Sequence, residues 1–256
     1  MISGNTKRIG NFTSSEIYLL TKLARDGKSF GAPALSYIER KVRERKLGRT
    51  INNDSSARST SWGNLVEKIL LNEILSTSYR TCSQETIDHN IIPTWKGSPD
   101  AERFVKGEKY AVVDIKCPYT LTSFCEFVDS FERGGITEFR AEHPDGEKYY
   151  WQLVSNAILL EVTRAELIVY CPYLHELEAI KDYVYTYDGA DQYKYFWIHS
   201  ANNEELPHIL PDRYYKNLYN FEFEIPIEDK FYLIDKVIEA SQLLTQHETQ
   251  TETQIG

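Results

Sequence analysis

Between residues 96 and 119 the 256-residue chain carries Asp100, then Asp114 and Lys116, an order that suits phosphoryl chemistry. Two carboxylates brought together need a counter-charge, and Mg²⁺ is held by one or two carboxylates together with water and substrate phosphate. A lysine beside such a cation can hold an attacking water or offset charge building on a phosphate. The same residues fit a plainer account, a surface hairpin with a local Asp114–Lys116 ion pair worth roughly a few tenths of a kcal/mol.

The elements that would position these groups are legible around them. A turn at Gly97-Ser98-Pro99-Asp100 is followed by a second at Lys106-Gly107-Glu108-Lys109, with Phe104-Val105 before it and Tyr110-Ala111-Val112-Val113 after it. Two short β-rich runs about a glycine-containing turn predict a hairpin. Its second strand runs into Asp114-Ile115-Lys116 and is stopped by Pro118. Side chains alternate along a strand, so Asp114 and Lys116 share one face and Ile115 points to the other. Upstream, apolar residues at 62, 65, 66, 69 and 70 predict a helix over 59–75. Glu67 lies at the edge of its apolar arc, and Gly63, one turn earlier, admits a close neighbour. A glutamate satisfied by a nearby basic group is the alternative role. Downstream, a long helix over 147–160 carries Gln152, whose plainer role is a buried, hydrogen-bonded amide, and a buried strand follows over 165–171.

The remaining segments frame this centre. A short helix is predicted over 14–25, capped by Ser14 or Ser15 and ended by Asp26-Gly27. A second runs from Ala32 or Pro33 to Lys46 with Gly48 as its stop. Its far half holds Arg40, Lys41, Arg43, Arg45 and Lys46, then Arg49, against Glu39 and Glu44. Arg40 and Glu44, four apart, partly neutralise each other, so this basic segment is either a solvated face or a contact for the DNA backbone. Residues 52–56 read as a polar loop and 78–93 carry weak strand signal. Helices over 120–132 and 134–142 are separated by Gly134-Gly135. From 176 to 213, Tyr183, Tyr185, Tyr187, Tyr193, Tyr195 and Trp197 alternate; such aromatics can stack single-stranded bases, but a hairpin packed on the core is the expectation. A strand over 221–225 precedes a last helix, 228–246, with Phe231, Ile234, Val237, Ile238 and Leu244 on its apolar side. The polar residues 247–256 are expected to be disordered.

A net charge of −9 argues against a surface coated in positive field, though not against a local basic groove. Cys82, Cys117, Cys125 and Cys171 are widely spaced with no C-x-x-C, against zinc, an iron–sulfur cluster or a secreted disulfide scaffold. With no apolar leader and no run long enough to span a bilayer, a cytoplasmic protein with reduced thiols is expected. The order of elements predicts one α/β domain over 1–246, helices packed on a mixed sheet, with its core at about 58–172.

In chain order, Gly63-x-x-x-Glu67, Pro99-Asp100 with Asp114-x-Lys116, and Tyr150-Trp151-Gln152 resemble the PD-(D/E)xK nuclease superfamily, and within it the lambda exonuclease/YqaJ group. The resemblance covers residues 59 to about 171. It implies a restriction-endonuclease-like core, with N-terminal helices and a C-terminal helix added. It implies Glu67, Asp100 and Asp114 as carboxylates for Mg²⁺ (Mn²⁺ substituting), with the Ile115 carbonyl as a further ligand. Lys116 would assist the nucleophile and Gln152 would order the site. The implied activity is a phage-type recombination exonuclease on DNA ends. An endonuclease of restriction or repair type, or a non-catalytic DNA-binding protein, are the alternatives on the same core. DNA is the implied partner, with a single-strand annealing or recombination protein and a homo-oligomer as further expected associations. The DNA contacts would come from Lys28, Arg40, Lys41, Arg43, Arg45 and Arg58. Family members often have an Arg before a small-residue turn near the start. Here Lys28-Ser29-Phe30-Gly31-Ala32 stands there, and lysine cannot copy a bidentate guanidinium clamp.

Overall fold

A computed structural model describes residues 6–51, 58–75, 78–82 and 86–252. In chain order its strands are β1 Phe12–Thr13, β2 Tyr79–Thr81, β3 Ile87–Asp88, β4 Trp95–Gly97, β5 Ala101–Val105, β6 Glu108–Lys116, β7 Arg164–Tyr170 and β8 Leu218–Glu224. Its α-helices are α1 Ala32–Leu47, α2 Arg58–Ile69, α3 Leu121–Glu142, α4 Gly146–Leu160, α5 Leu177–Tyr183, α6 Gly189–Ser200 and α7 Ile227–Glu252. The main sheet has the order β2-β5-β6-β7-β8, parallel only between β6 and β7, and a small sheet β1-β4-β3 accompanies it. This is the expected mixed α/β layer.

β6 and β7 are the centre because they are apolar on both faces, as strands covered on each side must be. Val112 on β6 and Ala165, Leu167 and Val169 on β7 join a core built with α3, α4 and α7. Val113 and Ile115, with Ile168 and Tyr170, face a second core built with α2, α5 and α6. The connection from β6 to β7 runs through α3 and α4, so α4 crosses the sheet directly over β6.

The hairpin β5–β6 forms as predicted. Its turn places Lys106 and Gly107 at φ 53° and 85°, the pair of left-handed conformations that matches strand twist in a two-residue loop. A register shift at Arg103/Phe104 leaves Tyr110 as the extra residue of a bulge on β6. At the start of this unit, a Cβ on Gly97 would collide with the Leu159 side chain, the Ser14 hydroxyl and the Asn156 amide, so only glycine lets β4 lie this close to α4.

Several expectations are corrected. The segment from Ser14 to Thr21 is a 3₁₀ helix rather than α, entered from Thr13, because Ser14 is buried and bonded to Ser155 Oγ at 2.8 Å instead of capping. The tyrosine-rich segment forms α5 and α6, not a hairpin: Leu177, Ile180 and Val184, then Tyr195 and Ile198, are the inward positions, and their spacing is helical. On α7 the inward stripe is Leu233, Val237, Ala240 and Leu244, while Phe231 and Ile238 are exposed. That helix continues past Gln246 to Glu252. The polar loop 52–56 and residues 253–256 lie outside the described residues. The two helices predicted around Gly134-Gly135 do form within α3, divided by a kink with non-helical backbone at both glycines.

Candidate active site

Asp114 is wholly buried on β6, and Ile115 nearly so. This removes the surface-hairpin account, since β6 is the middle strand of five. Register places Asp114 beside Leu167 and Lys116 beside Val169, both on the face that α4 covers. From α4, Gln152 Nε2 donates to Asp114 Oδ1 at 2.7 Å. Lys116 Nζ stands 2.7 Å from Asp114 Oδ2, a buried ion pair beside the Gln152 hydrogen bond. Asp100, just ahead of β5, accepts from the Ile115 backbone N–H at 2.7 Å, which brings its carboxylate against the strand that carries Asp114.

Glu67 reaches the same point from α2. Its carboxyl is pushed up to about 7, first by burial and further by Asp114, with Lys116 opposing. Burial raises Asp100 well above the ordinary aspartate range, and Asp114 and Glu67 add to that. Burial alone would lower Lys116, but Asp114 and Asp100 outweigh it and hold the ammonium above its usual range. Three carboxyls and one ammonium therefore share a desolvated site with an excess of negative charge. A divalent cation would offset that charge when the carboxyls are ionised.

The donors fit a small hard cation. Asp100 and Asp114, with the Ile115 carbonyl directly after Asp114 in the chain, give the one-or-two-carboxylate set that Mg²⁺ accepts when substrate and water complete the shell. Asp114 Oδ2, buried and met by the Lys116 ammonium alone, keeps a lone pair that such an ion would take up. Among the described residues no three His, Cys, Asp or Glu groups already form a ready cage.

Tyr149 belongs to the site, although sequence reading passed it over. Lys116 Nζ lies 4.7 Å from its ring centroid, and the ring is itself packed by Phe127 and His143. The available signal was its i,i+3 spacing to Gln152 on one helix face. Tyr150 and Trp151 instead face the core and flank Arg140, so of that predicted triplet only Gln152 serves the site. Gly63 faces the Cys117 carbonyl, 3.9 Å from where a Cβ would lie, and this lets α2 settle beside the end of β6.

The basic segment is reassigned. Arg40 pairs with Glu16 at 2.5 Å and not with Glu44. Lys41 is buried, with its ammonium 3.0 Å from Glu44, which also accepts the Gly10 and Ile51 backbone N–H groups. Lys41 is thus a fold-holding residue and is withdrawn from the expected DNA contacts. Arg45 is turned to the Gly10 carbonyl, and Arg43 is exposed and pairs with Glu39. Lys28 is exposed on the Asp26 turn, and Arg58 opens α2 over the Trp197 ring. None of these lies in the carboxylate cluster. Lys41→Ala is expected to cost about 3 kcal/mol of stability by unpairing a buried carboxylate. Arg43→Ala is expected to leave stability within about 0.5 kcal/mol. Urea unfolding of the two variants checks this contrast, and equal losses would contradict it.

Glu67 gives a pH signature in metal-free protein. Its folded value lies above the ordinary 4.5, so its contribution to stability is fully present below about pH 4.5 and is lost as pH rises through about 7. Glu67→Gln is therefore expected to be more stable than the parent by about 2 kcal/mol at pH 8, with the gap closing toward pH 4.5. Urea unfolding in chelator from pH 4.5 to 8 measures it; parallel profiles would remove the buried-carboxyl account.

No family model matches the sequence, and no curated protein does. Solved structures do match. The alkaline exonuclease LHK-Exo from Laribacter hongkongensis aligns with a TM-score of 0.59 at 14% identity, covering 97% of this chain and 96% of that one. LHK-Exo in complex with dAMP aligns with the same score and identity over 98% and 97%. A phage-related exonuclease from Haemophilus somnus 129PT gives 0.56 at 14% identity over 96% of both. The chain thus has the fold of the alkaline and phage-related exonucleases along essentially its whole length. On that fold, Asp100 stands just ahead of the β5–β6 hairpin, and Asp114 and Lys116 lie on its second strand.

Proposed function

We propose that the protein is a Mg²⁺-dependent deoxyribonuclease of the phage-type exonuclease kind, hydrolysing phosphodiester bonds from DNA ends. The observation that carries this is the meeting of Glu67, Asp100, Asp114, Lys116 and Gln152 at the end of β6. LHK-Exo, whose fold it shares, has been crystallised with dAMP. When bound, Mg²⁺ supplies Lewis-acid polarisation of the phosphodiester and charge neutralisation of the leaving oxygen.

The chain's own groups account for the rest. Asp100 and Asp114 hold the cation, and Gln152 fixes the Asp114 carboxylate by its hydrogen bond. Lys116, kept protonated by the carboxylates, orients the attacking water as a donor and offsets negative charge on the phosphate as the in-line displacement proceeds. Its high proton affinity makes it a poor base, so the water's proton passes to another acceptor. Glu67, half-titrated near neutrality in metal-free protein, stands close enough to the cluster to feel Asp114 and Lys116. Hydrolysis leaves a 5′ phosphate.

The deciding experiment is Mg²⁺ digestion of end-labelled linear duplex beside a closed circle. Release of mononucleotides from the linear form with the circle intact is the expected result. Cleavage of the circle would make the protein an endonuclease, and no metal-dependent cleavage of either would remove the nuclease reading.

A further inference from the structure

We propose that Trp197, Tyr119 and Arg58 form a subsite beside the active centre that stacks a base of a single-stranded stretch at the DNA end. The inference rests on the nuclease reading above and adds a second point of contact for the strand. Tyr119 emerges three residues after Lys116, where Pro118 turns the chain out of β6. Its ring meets Trp197 of α6 nearly edge-on, with centroids 5.8 Å apart at 80°, and is backed by the fully buried Trp62 at 6.4 Å. Trp197 Nε1 donates to Ser61 Oγ at 3.0 Å, which locks the indole plane while leaving the ring partly exposed. Arg58, exposed on the first turn of α2, lays its guanidinium 5.3 Å from the Trp197 centroid.

A fixed aromatic face with an exposed arginine over it is the pairing that single-strand sites use, stacking for the base and positive charge for the backbone. A stack of base on indole is stronger than an exposed cation–π contact. A base arriving at the ledge therefore displaces the guanidinium, which passes to the adjoining phosphate. The place is right for the chemistry. Arg58 and Glu67 are nine residues apart on the continuous helix α2, about 14 Å of axial rise, and one DNA strand advances about 3.4 Å per nucleotide. The stacked base would stand a few nucleotides from the scissile bond, where bases leaving a duplex need a face to replace the lost stack. The alternation of aromatics in this segment is thus partly functional, although the segment is helical.

The test uses the full chain in chelator, with thymidine 12-mers carrying one 2-aminopurine at successive positions. Wild type is expected to quench the probe most strongly at one position. Trp197→Ala should abolish that maximum and weaken 12-mer affinity roughly tenfold, with Trp197→Phe restoring most of it. Arg58→Glu, on an exposed position, should weaken affinity and lower the salt slope by about 1. If Trp197→Ala does not fold, Tyr119→Leu and Arg58→Glu decide by the same readouts. Wild-type quenching and salt dependence in the folded variants, alongside normal cleavage by the parent, would overturn the subsite and leave the nuclease reading standing. A parent that neither binds the 12-mers nor cleaves duplex would remove both.

Discussion

Lys116→Ala is expected to keep Mg²⁺ and DNA binding and to lose single-turnover cleavage by on the order of a hundredfold or more. The lysine is placed to act on water and developing charge, not to ligate the cation, so binding and chemistry should separate. Lys116→Arg should not restore activity, because the broad guanidinium cannot take the place of a compact ammonium between Asp114 and the Tyr149 ring. A stability effect accompanies the kinetic one. Removing Lys116 leaves Asp114 buried with only Gln152 as a directed partner. Metal-free Lys116→Ala should therefore melt lower than the parent, and Mg²⁺ should raise its melting temperature by more than it raises the parent's. Cleavage, DNA affinity and melting are measured on one preparation. Parent-like turnover in Lys116→Ala would end the assignment of this hairpin to phosphoryl chemistry.

Asp100→Asn and Asp114→Asn are each expected to lower Mg²⁺-dependent cleavage on the order of a thousandfold, since a neutral amide is a weak ligand for a hard cation. Their metal-free stabilities should move in opposite directions. Asp100 is raised well above the ordinary range by burial and by the charges of Asp114 and Glu67, so at pH 8 its ionised form is a burden that asparagine removes. Asp114 is the nearest counter-charge of Lys116 at 2.7 Å, and asparagine there strands a desolvated ammonium. Asp100→Asn should melt higher than the parent in chelator and Asp114→Asn lower, and both should lose most of the Mg²⁺-induced rise. Full cleavage and an unchanged metal titration in both variants would remove the metal site.

The sequence carried the hairpin and its Lys106-Gly107 turn because those signals are local, whereas Gly97 of the expected first turn ends β4. Lys106-Gly107 needs left-handed backbone, Pro118 cannot continue a ladder, and the period of two assigns Asp114 and Lys116 to one face. Gln152 and Glu67 were reachable only as members of an ordered set, since a helical glutamine or edge glutamate has several ordinary roles. The aromatic segment was misjudged because alternation of Tyr and Trp imitates a strand while Leu177, Ile180 and Val184 carry the helical period. On α1, the Arg40–Glu44 pairing expected from a spacing of four gave way to Glu16, which arrives from another element at 2.5 Å from Arg40.

By itself the sequence determined the donors, their chain order and the strand that presents them, because residue type and side-chain alternation are properties of the chain. Only the tertiary structure decided that β6 is the central strand, with Asp114 fully buried. Burial turned an ion pair of negligible worth at a surface into a desolvated cluster whose charges shift one another. It also decided that Lys41 belongs to the fold while Arg58 stands over an aromatic ledge. Which charge faces water and which faces another charge depends on contacts between residues distant in the chain, and no local pattern encodes them.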